Sequence, residues 1–238
     1  MDMTLNQDAV AEIWRPVVLT FESACSFDNP FLDVEIWAEF TGSSGRVIRR
    51  EAYWDGGRTY CVSFAPTELG AWNYVIEAPE QTGLNGCTGR VEAVPYAGDL
   101  DLYRHGFIRV ADDSRMFAYS DGTPFFWLGD THWEFAYRES WDASNHPGMT
   151  SQFRGMVDLR AEQGFTVYQT NLRSDMGAGD RYWIDGGMAK GVEDVPNVAF
   201  YQRELDRRMA YIADAGLVNA LGQAWAFAIL GEHAVEHQ

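Results

Sequence analysis

The stretch FFWLGDTHW at residues 125–133 decides the fold class of the second half of the chain. Its first five residues form an apolar run without alternation, which is typical of a parallel strand that is covered on both faces or lines a barrel interior. Polar and aromatic residues follow directly, from Asp130 to Glu134. We therefore predict a strand over residues 125–129, with these polar groups at its carboxyl end.

The same sequence pattern recurs twice after this stretch. Apolar residues repeat at helical spacing between strand-like runs, with capping residues at the start of each helix and glycine after its end. The expected elements are a helix from a cap at Thr150 or Ser151 to Gly164, a strand over 165–171, a helix from Pro196 and Asn197 to Gly216, a strand over 217–222 and a helix over 226–238. This alternation predicts βα units wound around a parallel sheet.

The first part of the chain has a different pattern. From Trp14 to Tyr96 apolar and polar residues alternate with period two, and turn signals such as Gly56 and Gly57 separate short runs. This pattern predicts an immunoglobulin-like β-sandwich over residues 1–97. The second domain is then expected over residues 98–238, where it begins with a small hairpin around Asp112.

The second domain is too short for a complete (β/α)8 barrel, which takes roughly 250 residues. Three βα units fit after Ala97, so we expect the first three units of an incomplete barrel. Three explanations stay open: the sequence is a fragment, a partner completes the barrel, or the sheet is open and doubly wound. The third is weakened because residues 129–132 lack a Gly-rich phosphate turn, and no cofactor is expected.

Composition excludes several classes of partner. The chain has 238 residues with a formal charge of −17, and it contains no basic stripe that could bind nucleic acid or an anionic membrane. No apolar run is long enough to span a membrane, and the start of the chain lacks a secretory signal. We expect a cytoplasmic protein as the sequence is written, or a secreted or periplasmic one if its N-terminus is incomplete. The three cysteines lie at no metal-binding spacing.

The predicted strand ends carry the candidate site. Carboxylate, amide, guanidinium and indole groups can bind the hydroxyls and the C–H faces of a sugar. The candidate sugar-binding residues are Asp130, His132, Trp133, Glu134, Asn171, Arg173, Trp183 and Trp225. The alternative is structural: Asp130 caps the next turn and pairs with Arg173.

Two further segments have patterns that are typical of functional sites. The segment 174–195 is longer than the ~2–6 residues usual for a βα loop, so it is either a lid over a ligand or disordered. His233 and His237 match an inverted zinc-protease spacing, but we expect this stretch to be the solvated face of a helix. No metal site is predicted.

The residues NPF at 29–31, YWDGG at 53–57 and DGTP…LGDTHW at 121–133 resemble the bacterial apiosidase-like glycoside hydrolases. The resemblance implies an N-terminal β-sandwich of unassigned role before a (β/α)8 catalytic barrel. It also implies hydrolysis by two carboxylates, which are expected on later strands, around the fourth and seventh. It transfers Asp130, Trp133, Asn171 and Arg173 as substrate contacts and no catalytic residue.

Three hypotheses for function follow. The first is the N-terminal part of a glycoside hydrolase that acts on plant-type polysaccharide or oligosaccharide and is inactive alone. The second is a carbohydrate-binding or assembly module without catalysis. The third is an intact enzyme made by two half-barrels, because an open sheet edge favours self-association.

Overall fold

The computed structural model describes residues 7–112, 115–136, 138–171 and 195–222. Contacts divide the chain into two compact units, Met1–Phe107 and Ile108–Gln238. Residues 98–107, which the sequence assigned to the second domain, lie with the first unit. They do so because Phe107 packs edge-on against Trp14, with ring centroids 5.2 Å apart, and Tyr103 packs against Tyr96.

The first unit consists mostly of strands, which form two sheets. One sheet has five strands in the order β1-β8-β7-β3-β4, and the other has three in the order β2-β6-β5. The strands are β1 Gln7–Glu12, β2 Val17–Glu22, β3 Trp37–Thr41, β4 Val47–Glu51, β5 Tyr53–Trp54, β6 Thr59–Phe64, β7 Gly70–Glu77 and β8 Thr88–Val94, and a short helix α1 covers Asp101–Arg104.

The two sheets of the first unit share one apolar core. Alternate residues of β2, β3 and β7 are buried, as the period-two pattern predicted, whereas β6 buries Cys61 in addition to Tyr60, Val62 and Phe64. Phe40 of one sheet stacks on Phe64 of the other with ring centroids 3.8 Å apart, and Trp72 packs against Phe64. This arrangement is a β-sandwich, since the inner faces of both sheets supply the core.

The predicted glycine turn is confirmed. Gly56 and Gly57 have φ angles of 98° and 55°, in the region that glycine adopts without steric cost. They connect β5 to β6, which pair antiparallel, and Thr59 N donates to Gly56 O at 2.9 Å.

The second unit begins with a small sheet and continues with a parallel one. The small antiparallel sheet has the order β11-β10-β9, and the parallel sheet has the order β12-β13-β14. The elements are β9 Ile108–Val110, β10 Phe117–Tyr119, β11 Pro124–Phe125, β12 Gly129–His132, α2 Gln152–Glu162, β13 Val167–Asn171, α3 Val198–Phe200, a π-helical segment Tyr201–Asp206, α4 Arg207–Asp214 and β14 Val218–Gly222. None of the described helices is long and apolar enough to cross a membrane.

The prediction of a strand over residues 125–129 is wrong in its position. Pro124 and Phe125 pair with β10 in the small sheet, and the parallel strand starts only at Gly129. The apolar run did not predict the strand position correctly because it covers the end of β11, an exposed connection and the start of β12. Phe126 and Trp127 in that connection are 75% and 42% exposed. Asp130 and His132 therefore lie within a strand rather than after it.

The predicted helix ends are confirmed at both helices. Ser151 caps α2 by accepting from Arg154 N at 3.0 Å, and the Asn197 side chain accepts from Phe200 N at 3.3 Å. Gly164 and Gly216 follow the helices with positive φ angles of 79° and 80°. Caps of this kind satisfy backbone groups that lack partners at helix ends.

The two faces of the parallel sheet pack against different elements. Tyr168 joins Phe153 and Val157 of α2 and Ile212 of α4 in one buried cluster, so we call this side the helix face. Val167 joins Tyr119 and Phe125 of the small sheet in another cluster, with Val218 and Ala220 packed against it. We call this second side the hairpin face.

Candidate functional site

The strand register sorts the candidate side chains between the two faces. Asp130 pairs with Tyr168, and Thr131 pairs with Gln169. Paired residues of neighbouring strands project to the same face, and successive residues of one strand project to opposite faces. Asp130 and His132 therefore belong to the helix face, whereas Thr131, Gln169 and Asn171 belong to the hairpin face.

Asp130 is held by an arginine of the helix that covers it. Its Oδ2 accepts from Arg160 Nε at 2.5 Å, and its Oδ1 accepts from Thr131 N at 2.8 Å. Burial raises the pKa of this carboxyl, but the hydrogen bonds from Arg160 and Thr131 and the charge of His132 outweigh burial, and the net pKa is lowered. Asp130 is therefore a carboxylate that ties β12 to α2.

His132 lies between two carboxylates on the same face. Its Nδ1 is 3.1 Å from Glu139 Oε1, and its Nε2 is 3.3 Å from Asp130 Oδ2, although the second approach lacks hydrogen-bond geometry. The Tyr168 hydroxyl donates to Glu139 Oε2 at 3.4 Å. Burial, with the nearby charge of Glu139, raises the pKa of Tyr168. The phenol therefore stays protonated and keeps this donor.

The structure places Asp130 and His132 in a buried network and not on an open rim. His132 is 7% exposed, and the Asp130 side chain is 32% exposed. The structural alternative from the sequence paired Asp130 with Arg173, which lies outside the described residues, and the arginine that binds Asp130 in the described part of the chain is Arg160. Direct contact of these two residues with a ligand stays a prediction.

The hairpin face carries polar groups where the strands approach their carboxyl ends. Thr131 and Gln169 are neighbours in register, and Ala220 of β14 is the next residue in the same row. Thr131 is exposed and Gln169 is half-buried, and within the described part of the chain their side chains make no hydrogen bond. Asn171, one residue pair further along, is 2% exposed and has an interaction partner.

Trp133 and Glu134 follow β12 directly. Trp133 is 37% exposed, and Glu134 Oε2 lies 3.2 Å from Arg138 Nη1. The structure thus brings an accessible indole and a carboxylate to the same strand end as Asn171. Contact of all three with a ligand remains a prediction.

The other predicted site residues lie in parts of the chain that the structure does not describe. Arg173, Trp183 and Trp225 lie outside the described residues, and so do nearly all of the predicted lid at 174–195 and the histidine pair at 233–237. Within the described ranges, no group of three or more His, Cys, Asp or Glu side chains could hold a metal ion.

A cavity of about 470 Å³ lies beside the loop that follows β12. Three arginines bind the carboxylate of Glu204 in its wall, Arg203 at 2.9 Å and Arg207 and Arg208 at 2.7 Å each. Burial raises the pKa of Glu204, but these arginines outweigh it and the net pKa is lowered. The lining residues are Ala136, Arg138, Glu139, Ser140, Trp141, Asp142, Asn197, Phe200, Arg203, Glu204, Arg207 and Arg208.

Arg208 connects this cavity to the network around His132. Its guanidinium donates to Phe135 O at 2.9 Å and to Glu139 O at 2.8 Å, and its side chain is 3% exposed. Burial lowers the pKa of Arg208, and the charge of Glu204 opposes that effect. The buried guanidinium therefore holds the backbone of the loop that carries Glu139.

Sequence reasoning missed Arg160, Glu139 and the open pair on the hairpin face. Arg160 and Glu139 gave no signal, since neither stands at motif spacing from Asp130. Thr131 and Gln169 could have been found from strand alternation if the start of β12 had been placed at Gly129.

Comparison with known families gives two matches that follow one another along the chain. The family described as "Apiosidase-like, catalytic domain" matches residues 111–237, and a domain of unknown function, DUF5060, matches residues 10–79. The first match covers more than half of the chain. No curated protein matches the chain.

Comparison with solved structures gives a similar fold. A protein assigned as a glycoside hydrolase from Bacteroides vulgatus ATCC 8482 is 23% identical with a TM-score of 0.62, over 90% of this chain and 41% of the other. A family 123 glycoside hydrolase from Clostridium perfringens, studied for glycolipid glycan hydrolysis, is 12% identical over 89% of this chain and 41% of the other, and its TM-score of 0.30 carries no argument. The chain thus spans less than half the length of both proteins.

Proposed function

This chain belongs to the apiosidase-like catalytic-domain family, and we propose that it forms part of an enzyme that hydrolyses glycosidic bonds. The substrate class under this proposal is plant-type polysaccharide or oligosaccharide. The family match supports the reaction type, and the polar groups at the strand ends support a carbohydrate ligand.

We assign the three parallel strands to a (β/α)8 barrel and the first unit to the immunoglobulin-like class as parts of the same proposal. The helices cover one face of the parallel sheet, and the other face holds the small sheet near the strand starts. In barrels of this kind ligands bind at the carboxyl ends of the strands. This end is where Gln169 and Asn171 lie.

The observation that carries the proposal is the row formed by Thr131, Gln169 and Ala220. Two hydrogen-bonding side chains without described partners stand beside a small residue, so a hydroxylated ligand can approach the strands and bind both groups. The exposed indole of Trp133 offers an apolar surface next to the strand end. Sugars present both kinds of surface, hydroxyl groups and C–H faces.

Glycoside hydrolysis uses two carboxylates, one as acid and the other as nucleophile or base. The hairpin-face residues of the described strands are Gly129, Thr131, Val167, Gln169, Asn171, Val218, Ala220 and Gly222, and none of these is a carboxylate. We therefore assign the described strands to binding and the carboxylate pair to residues outside them. The resemblance puts this pair around the fourth and seventh strands of the barrel, so under this proposal the 238-residue chain binds glycan without turning it over.

Asp130 and His132 take a positioning role in this proposal. They tie β12 to α2 and to the loop carrying Glu139, which sets the position of Thr131 between them. Trp133, Glu134, Asn171, Arg173, Trp183 and Trp225 remain the proposed contacts.

The test measures binding and turnover with the same 238-residue chain. Binding of xyloglucan, arabinogalactan and polygalacturonate fragments is measured by calorimetry, and hydrolysis is measured on these fragments and on aryl glycosides. We expect saturable binding that Gln169→Ala weakens about tenfold, with no turnover. Rapid turnover would refute the assignment of the carboxylate pair to residues outside this chain. Binding that Gln169→Ala leaves unchanged would refute glycan binding at Thr131 and Gln169, the rim of the parallel sheet.

Self-association through the edge of the parallel sheet is a separate proposal. The outer strands β12 and β14 each pair with one described strand, so a second chain could pair there. Light scattering at several concentrations tests it, and a strict monomer would remove it.

A further inference from the structure

A second cavity lies wholly within the first unit. Its volume is about 490 Å³, and it is bounded by the turn after β1, the residue before β7 and the segment from the end of β8 into α1. The lining residues are Ile13, Trp14, Leu69, Pro95, Tyr96, Gly98, Asp99, Tyr103 and Arg104. Nothing in the proposed hydrolysis uses this cavity.

Aromatic rings form much of its wall. Tyr96 and Tyr103 pack edge to face, with centroids 5.4 Å apart and planes at 66°, and Arg15 lies 5.8 Å over the Tyr103 ring. Trp14 is half-buried beside them, and Leu69 is 50% exposed. Rings ordered in this way present rigid apolar surface at low entropy cost, because few bonds are left to immobilise.

Three polar side chains at the cavity, those of Trp14, Asp99 and Arg104, make no hydrogen bond or ion pair with the described part of the chain. The indoles of Trp54 and Trp72 each donate to a backbone carbonyl, whereas the indole N–H of Trp14 donates to no described acceptor. Asp99 and Arg104 are exposed, and neither makes an ion pair or a hydrogen bond with its side chain among the described residues. The indole N–H of Trp14, the carboxylate of Asp99 and the guanidinium of Arg104 are therefore available to bind a ligand in the cavity.

Trp14 also has an unusual backbone conformation. Its φ angle is 67°, and among the described residues it is the one non-glycine residue with positive φ. A hydrogen bond from Trp14 N to Pro66 O at 2.8 Å holds the turn in this shape. Glycine would adopt this conformation without steric cost, so the large indole is placed here against a local backbone preference.

We propose that this cavity binds an oligosaccharide chain independently of the rim of the parallel sheet. Sugar C–H faces pack on Trp14 and the tyrosines, while hydroxyl groups bind Asp99, Arg104 and the free indole N–H. The choice of a glycan as ligand rests on the proposed function. The site itself is distinct from the one at Gln169 and tethers substrate rather than reacting with it.

The experiment compares variants of the full 238-residue chain with the soluble polysaccharides xyloglucan, arabinogalactan and polygalacturonate as probes. Affinity electrophoresis gives the binding constant, and thermal unfolding gives the stability of each variant. Trp14→Gly removes the ring and relieves the backbone, so we expect binding to fall at least tenfold while the first unit still folds. Trp37→Ala is the matched control, since Trp37 is a half-buried tryptophan of β3 that does not line the cavity.

Asp99→Asn and Arg104→Gln separate a loss of binding from a loss of folding, in case Trp14→Gly destabilises the first unit. Both side chains are exposed and unpartnered, so we expect unchanged melting and a several-fold loss of binding. Retention of full affinity by Trp14→Gly and by both polar variants would overturn the proposal, and so would failure of all three probes to bind. If Gln169→Ala has no effect while Trp14→Gly abolishes binding, the rim proposal fails and this one stands.

Discussion

The imidazole of His132 stacks on the phenol ring of Tyr168, with ring centroids 4.0 Å apart and planes at 9°. The stack lies on the helix face, where Asp130 and Glu139 stand on either side of the imidazole. A flat histidine held this way joins a strand, a loop and a covering helix. The same stack explains why His132, which the sequence predicts as a sugar contact, is buried.

Asp130→Asn should flatten the dependence of stability on acid pH. The folded-state pKa of Asp130 is lowered, so its carboxylate stabilises the second unit above its unfolded pKa of about 3.9, and that contribution is lost as pH falls through the folded pKa. We expect the melting temperatures of wild type and variant to differ at pH 6 and to converge once the pH falls below the folded-state pKa of Asp130. Circular dichroism melts across this range measure the difference.

The control for this prediction is Asp112→Asn, which removes a carboxylate that is 96% exposed beside Arg109. Exposed pairs contribute little, so its melting curve should follow wild type at every pH. Parallel curves for Asp130→Asn and wild type over the whole range would contradict the prediction.

His132→Phe should keep the ring stack with Tyr168 and lose the contacts of the imidazole nitrogens with Asp130 and Glu139. Asp130 and Glu139 would then lack the group between them, and two partly buried carboxylates without a bridge destabilise the loop after β12. We expect faster amide hydrogen exchange over residues 133–142 and a melting temperature lowered by several degrees. Exchange equal to wild type in this loop would show that stacking alone positions it.

Arg208→Met should destabilise the second unit by about 3–5 kcal/mol, because it removes the buried donor to the Glu204 carboxylate and to three backbone carbonyls. Arg203→Met removes an arginine bound to the same Glu204, but that side chain is 69% exposed. Its cost should be within about 0.5 kcal/mol. Urea unfolding of the two variants measures both values, and equal costs would refute the role given to Arg208.

Phe64→Ala should cost the β-sandwich about 3–5 kcal/mol, since its fully buried ring stacks on Phe40 and contacts Trp72 across the core. Phe31→Ala, at a ring that is 48% exposed, should change stability far less. Denaturant unfolding followed by tryptophan fluorescence compares them. A small loss for Phe64→Ala would mean that the two sheets do not depend on this contact.

Local sequence patterns predicted the elements better than the site. The alternation that ends in Tyr60, Val62 and Phe64 predicted the buried face of β6, and Ser151 predicted the cap of α2. Both signals are local, because a strand's faces and a helix's first turn depend on residues a few positions apart. The start of β12 could not be predicted this way, since an apolar run does not reveal which sheet each residue pairs with.

A strand-rich first part, βα units after it and the family to which the chain is similar could all be predicted from the residues alone, because each depends on periodicity or on a continuous motif. Three relationships required the folded chain: the sheet face on which Asp130 and His132 lie, the arginine that binds Asp130, and the cavity that Trp14 shares with Tyr96 and Tyr103. These relationships join residues 30 to about 90 positions apart. Their physical reason is strand register and packing, which no short stretch of sequence encodes.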